Sequence, residues 1–131
     1  MPPADRRTFP FPKSARLLRR GEFLAVKRRG QGFADGPLAA SWTTRPAGGP
    51  GIASSTARVG IAVSSKVGDA VVRNRVKRRL REAIRHELRQ LPEVDLVLVA
   101  RASATRATVG ELRAWVRNAG LRIAADQERR P

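Results

Sequence analysis

From Ser14 to Arg29 the apolar residues Leu17, Leu18, Phe23, Leu24 and Val26 are set among basic ones, and the run stops at Gly30. This reads as a turn and then a short helix, about Arg20 to Arg29, with Gly30 as a left-handed cap. "PLAASWTTR", Pro37 to Arg45, alternates about Leu38, Ala40 and Trp42 and predicts a strand. "PAGGPGIASST", Pro46 to Thr56, is dense in Gly, Pro and Ser without periodicity, so it predicts an exposed flexible loop. "RVGIAVSSK" then alternates Val59, Ile61 and Val63 with smaller residues as a second strand.

"GDAVVRNRVKRRLREAIRHELRQLP" predicts a long helix, opened by Asp69 as a side-chain cap and closed before Pro92. At 100° per residue, Val72, Val76, Leu80, Ala83, Ile84 and Leu91 gather in one sector, with Leu88 at its margin. "VDLVLVAR", Val94 to Arg101, is apolar almost throughout, as in a strand buried on both faces. Thr108 with Glu111 three residues on signals a capping box, after which Val109, Leu112, Val116, Ala119 and Ile123 line one helical face.

The predicted order is helix, strand, strand, helix, strand, helix, without internal repeats. An α+β fold, a two-layer α/β sandwich with helices against a small central sheet, is the economical architecture. At 131 residues there is room for one modest core. A single domain is expected over residues 14–126, with a flexible basic arm at 1–13, the Gly/Pro loop at 46–57 and a tail at 127–131.

Composition changes the picture through charge. The chain carries 27 basic and 11 acidic residues, a formal net charge of +16. Only Lys13, Lys27, Lys66 and Lys77 are lysines, and the rest are arginines, whose forked donors match phosphate oxygens. Such a chain needs a polyanion. A membrane surface is disfavoured because no apolar run approaches the roughly 20 residues of a spanning helix. With no cysteine, disulfides and thiolate metal sites are excluded, and a reducing cytoplasm is the expected compartment. With one histidine, His86, a protein-borne metal centre or a serine-histidine triad is disfavoured.

The positive charge concentrates on the long helix. Five like-charged pairs stand four apart, from Arg73/Lys77 through Arg85/Arg89 with Arg75/Arg79 beside them, and each costs about 0.2 to 0.5 kcal/mol. Arg73 and Arg75 also occupy the first turns, where the helix dipole prefers anions. A bound phosphate reverses each of these signs. Asn74, between two arginines, can both donate and accept towards a sugar or a base edge, or merely bond locally. Because strands frame this helix on both sides, it must lie on a sheet, and RNA recognised by shape and backbone suits it better than the major groove of DNA.

The run "RVGIAVSSKVGDAVVRNRVKRRLREAIR", Arg58 to Arg85, closely resembles the signature of the bacterial ribonuclease P protein component. Its centre is "RNRVKR", Arg73 to Arg78, the RNR motif, and the resemblance extends to "RLLRRGEFLAVKRRG" and "VDLVLVAR". It implies an α/β sandwich with a left-handed βαβ crossover. It also implies the protein subunit of ribonuclease P, which binds the catalytic RNA and the 5′ leader of precursor tRNA and promotes endonucleolytic removal of that leader. Catalysis would then belong to the RNA subunit and to Mg²⁺ bound mainly by RNA and substrate, with no catalytic or metal-binding residue on the protein. Ribonuclease P RNA and precursor tRNA are the implied partners, with no membrane and no protein partner required.

By motif position, Arg73, Asn74, Arg75, Lys77, Arg78 and Arg81 would face the catalytic RNA. Phe23 matches an aromatic position in the cleft that receives the single-stranded leader, and Arg16, Lys27 and Lys66 stand as leader-side basic contacts. Without the resemblance, Phe23 reads equally as a core residue of the first helix. Three departures matter. Lys27 stands where the family commonly has an aromatic, Ser65-Lys66 replaces a pair of lysines, and Ser41 takes the usual aromatic place of the first strand while Trp42 points to the opposite face as a packing residue. Trp115 also reads as packing, and His86 as an exposed helix residue. The rival expectation is a ribosomal or general RNA-binding protein without a catalytic complex, which shares the charge but does not need the RNR turn.

Overall fold

The computed structural model describes residues 11–44 and 57–129. They form helix α1 (Arg20–Arg29), strands β1 (Gln31–Asp35), β2 (Leu38–Thr44) and β3 (Arg58–Ala62), helix α2 (Ala70–Glu87), strand β4 (Val94–Ala100) and helix α3 (Val109–Arg129). The strands make one sheet in the order β1-β2-β4-β3, antiparallel except for the β3/β4 pair, which α2 joins as a parallel crossover. The α+β class read from the pattern is the class observed. The loop read over Pro46 to Thr56 lies outside the described residues, as does most of the N-terminal arm. No helix among the described residues is long and apolar enough to cross a membrane.

Strand β1 is the element that the apolar pattern does not announce. "QGFAD" holds one large apolar residue, Phe33, so no alternation marks it, yet all five of its residues pair with β2. A two-residue loop, Gly36-Pro37, joins them, with Gly36 at a φ of 55°. Positive φ at the first loop position followed by proline's fixed negative φ is the sign pattern of a type II′ hairpin, and the Gly36-Pro37 dipeptide was its available signal. Gly30 also departs from expectation. It is extended (φ −86°, ψ 168°), not left-handed, because the chain passes directly from α1 into β1. Its glycine is required for another reason: a Cβ there would collide with the carbonyl oxygens of Val26 and Trp42.

Trp42, Val59, Leu96 and Leu98 line one sheet face, packed against Ile84 of α2 and Val116 and Ile123 of α3. Leu38 and Ala100 extend that layer under Val76, Leu80 and Leu112. The other face receives α1, where Val97 meets Leu17 and Val26, so β4 is buried on both sides as its composition indicated. The anticipated caps are present. Asp69 Oδ1 accepts from the Val72 N–H at 3.0 Å, and Thr108 Oγ1 accepts from the Glu111 N–H at 3.1 Å. Helix α3 continues to Arg129, into the stretch read as tail, and Phe11, assigned to the arm, is buried. Trp42 is buried as expected, whereas His86 is half-buried and sits 3.3 Å from Glu82, which shields it from the solvent exposure read for it.

The apolar side of α2 settles why so charged a helix holds. Burying Val76, Leu80 and Ile84 fully contributes up to about 5 to 9 kcal/mol. Like-charge repulsion along the same helix costs about 1 to 2.5 kcal/mol at most. Packing wins, so the cationic face needs no ligand in order to fold.

Candidate nucleic-acid interface

Helix α2 begins a short turn after β3, and its first turn contains no acidic side chain. Arg73, Asn74, Lys77, Arg78 and Arg81 fall within about 140° of arc, with Arg75 at the flank. Asn74, Arg75, Arg78 and Arg81 are exposed, while Arg73 and Lys77 are half-buried. The Nε of Arg73 is buried with no hydrogen-bond partner among the described residues. Some of the helix's charge is already committed. Arg79 donates from Nη1 to the Thr105 carbonyl at 3.1 Å, and Arg85 pairs with Glu82 at 2.7 Å. The exposed cations of α2 are thus Arg75 and Arg78 of the RNR motif and Arg81 just beyond it.

A recess of about 200 Å³ opens between the N-terminal segment, α1, β3 and α2, lined among others by Arg16, Phe23, Ile61 and Arg81. Arg16 is held there by its Nε, which donates to the Phe11 carbonyl at 3.0 Å, and by its guanidinium 4.7 Å from the centre of the Phe11 ring. Residues assigned from sequence to two surfaces thus meet: Arg81 with the RNR face, Arg16 and Phe23 with the other. Lys27 and Lys66 are exposed, on α1 and in the turn before α2, and neither lines the recess.

Two positions on β3 determine where Phe23 sits, and neither stands out in the sequence as a site residue. The first is Arg58. Its fork donates to Asp95 from Nε at 2.9 Å and Nη2 at 2.8 Å, and its Nη1 donates to Glu22 at 2.9 Å. Glu22 precedes Phe23 on α1 and also accepts the Arg19 backbone N–H at 3.2 Å. One guanidinium therefore ties β3, β4 and the first turn of α1, and hydrogen bonding to Asp95 raises its pKa above the usual arginine value, outweighing the loss of hydration. Because the folded pKa is raised, Arg58 loses its share of this stabilisation only as the pH rises past the ordinary arginine value, as long as its carboxylate partners stay ionised. The available signal was a lone arginine opening one strand and a lone aspartate opening the next, which the parallel register pairs directly.

The second position is Gly60. A Cβ built there would lie 2.6 Å from Cζ of Phe23 and 3.0 Å from Cβ of Leu17. The absence of a side chain on β3 is what lets the ring rest on the sheet. Gly60→Ala is expected to cost about 1 to 3 kcal/mol by overpacking, read as a lowered thermal midpoint; an unchanged midpoint would mean that the ring is not seated against β3. On the opposite side of the fold, buried Glu87 accepts from Arg117 at 2.6 Å and so joins α2 to α3.

A model of the family described as Ribonuclease P matches residues 11–124. The chain belongs to the ribonuclease P protein family. Its matches include the "Ribonuclease P protein component" of Gluconacetobacter diazotrophicus, 44% identical over 117 residues that cover 84% of this chain and 95% of that protein. The protein of the same description from Brucella melitensis is 40% identical over 121 residues, covering 88% of this chain and 82% of its own length. Among solved structures, the Staphylococcus aureus RNase P protein superposes with a TM-score of 0.68 at 25% identity, covering 86% of this chain and 96% of that one. The Thermotoga maritima RNase P protein gives the same score and identity over 82% of this chain and 96% of its own. The family's matched region takes in the recess, Arg58, Gly60 and the whole of the RNR helix.

Proposed function

We infer that the chain is the protein subunit of a ribonuclease P holoenzyme, binding the catalytic RNA through Arg73, Asn74, Arg75, Lys77, Arg78 and Arg81 and the 5′ leader of precursor tRNA in the recess of Phe23. The observation that supports this most is the meeting of Phe23, Arg16 and Arg81 at one opening beside the exposed RNR face. An aromatic ring with cations about it suits a single strand, whose bases stack and whose phosphates accept from arginine. Lys27, exposed one turn beyond Phe23, and Lys66, in the turn before α2, would extend the contact along the strand's backbone.

The reading assigns hydrolysis of the phosphodiester to the RNA subunit. Among the described residues no three His, Cys, Asp or Glu side chains gather as metal ligands. In the holoenzyme proposed, Mg²⁺ would be bound by RNA and substrate, and the protein's share would be to neutralise phosphates around it, which lowers the concentration of divalent ion that folding and cleavage demand.

Reconstitution tests the proposal. With the cognate ribonuclease P RNA at low Mg²⁺, addition of the protein should restore cleavage of precursor tRNA at the mature 5′ end. Rescue no greater than that given by an unrelated basic protein would leave a general RNA binder. Phe23→Ala is expected to weaken binding of leader-bearing substrate by about fivefold or more, the worth of one base stack, while binding of mature tRNA holds. Equal losses on both substrates would assign Phe23 to packing alone.

A further inference from the structure

The chain has only four Phe and two Trp, and of these Phe9 lies outside the described residues. Phe11 and Trp42 are buried, and Phe23 belongs to the recess already described. Phe33 of β1 and Trp115 of α3 are half-buried at the far edge of the sheet. Phe33 pairs in register with Ala40 and so projects to the α3 side, whereas Phe23 lies on the α1 side. The two places are separated by the thickness of the sheet and by about 14 Å of its width, three strand spacings.

Phe33 and Trp115 stack with centroids 5.8 Å apart and planes inclined by 23°. The Trp115 Nε1–H donates to the Asp35 carbonyl at 2.7 Å, which fixes the indole before any ligand arrives. The Arg122 guanidinium lies 4.2 Å from the centre of the Phe33 ring. Between them is a recess of about 110 Å³, completed by Asp35, Asn118 and Ala119. The small side chain of Ala119 leaves open the space that a larger residue on α3 would fill.

We propose that this recess is a second nucleic-acid contact, taking one unpaired nucleobase. The ordered aromatic pair supplies a stacking surface at little entropic cost, because the indole's orientation is already set. Arg122, which is exposed and lies over the Phe33 ring, would move off that ring to admit the base and meet its phosphate, and Asn118 and Asp35 offer hydrogen-bonding groups at the rim. The net charge of +16 favours RNA over a protein side chain as occupant. Helix α3, however, carries Glu111, Asp126 and Glu128 among its arginines, and Asp35 lines the recess itself, so stacking and not charge carries the binding.

The test uses the free protein with nucleoside monophosphates and so does not depend on the holoenzyme reading. Trp42 is buried, which makes Trp115 the fluorescence reporter. Adenosine and guanosine monophosphate should quench it saturably, with an affinity that survives salt sufficient to strip RNA from the RNR face. Phe33→Leu and Arg122→Gln should each weaken binding about tenfold, and Arg75→Ala should leave it unchanged. If Phe33→Leu lowers the thermal midpoint, Arg122→Gln, an exposed position, carries the comparison. Absence of saturable quenching, quenching abolished by salt, or equal affinity in Arg122→Gln and the parent overturns the proposal.

Discussion

Arg73→Ala and Arg75→Ala are each expected to weaken the complex with ribonuclease P RNA about tenfold or more and to raise the Mg²⁺ needed for half-maximal cleavage. A charge-assisted hydrogen bond to phosphate is worth about 1.5 to 3 kcal/mol, and a displaced cation must be replaced by another counterion. Arg75 is exposed and Arg73 half-buried, so each presents part of its guanidinium to a phosphate. For each phosphate that a substitution leaves without its arginine, the logarithmic salt slope of binding should flatten by about 0.7 to 0.9. Arg79→Ala is the internal comparison, because its guanidinium is engaged with the Thr105 carbonyl. Cleavage titrations in which Arg73→Ala and Arg75→Ala keep the parent's Mg²⁺ requirement would remove the proposed metal-supporting role.

The second large effect concerns stability. Arg58→Ala leaves Asp95, 9% exposed, without its bidentate partner and frees Glu22 at the start of α1. Removing one partner of a buried pair costs about 3 to 5 kcal/mol. With the Arg58 and Glu22 side chains about a quarter exposed, solvent screening lowers the expected loss to about 2 to 3 kcal/mol. Denaturant unfolding of Arg58→Ala, Asp95→Asn and the double variant measures it. In the double variant the loss should be smaller than the sum, since Asp95 no longer stands as a charge without its guanidinium; simple additivity would mean that the two groups do not act as a unit.

Legibility followed the strength of each local signal. Helix α2 was readable to its Asp69 cap because an apolar sector and a side-chain cap both declare themselves in sequence, and β4 because six apolar residues in a run of seven leave few alternatives. Strand β1 was not, since its order comes from backbone pairing with β2 and not from a buried face of its own. For the interface, the RNR cations were visible as an excess of charge, but which of them are spent internally was not. The engagement of Arg79 depends on where the turn at Ala102–Arg106 lands, a tertiary fact. Gly60 shows the same limit. A glycine in a strand marks a close approach, but only the fold says that Phe23 is what approaches.

The sheet order bears on how the chain is made. Strand β4 lies between β2 and β3, so neither neighbour has its inner partner until residues 94–100 have been synthesised. Helix α2 precedes β4, and the residues from its end to the end of β4 take roughly one to three seconds to add at typical rates of translation. During that interval the most cationic segment of the protein is complete while its supporting sheet is not. The nascent chain is therefore a polycation before it is a folded domain, and anions that occupy α2 early would relieve its internal repulsion at the stage when no packing yet opposes it.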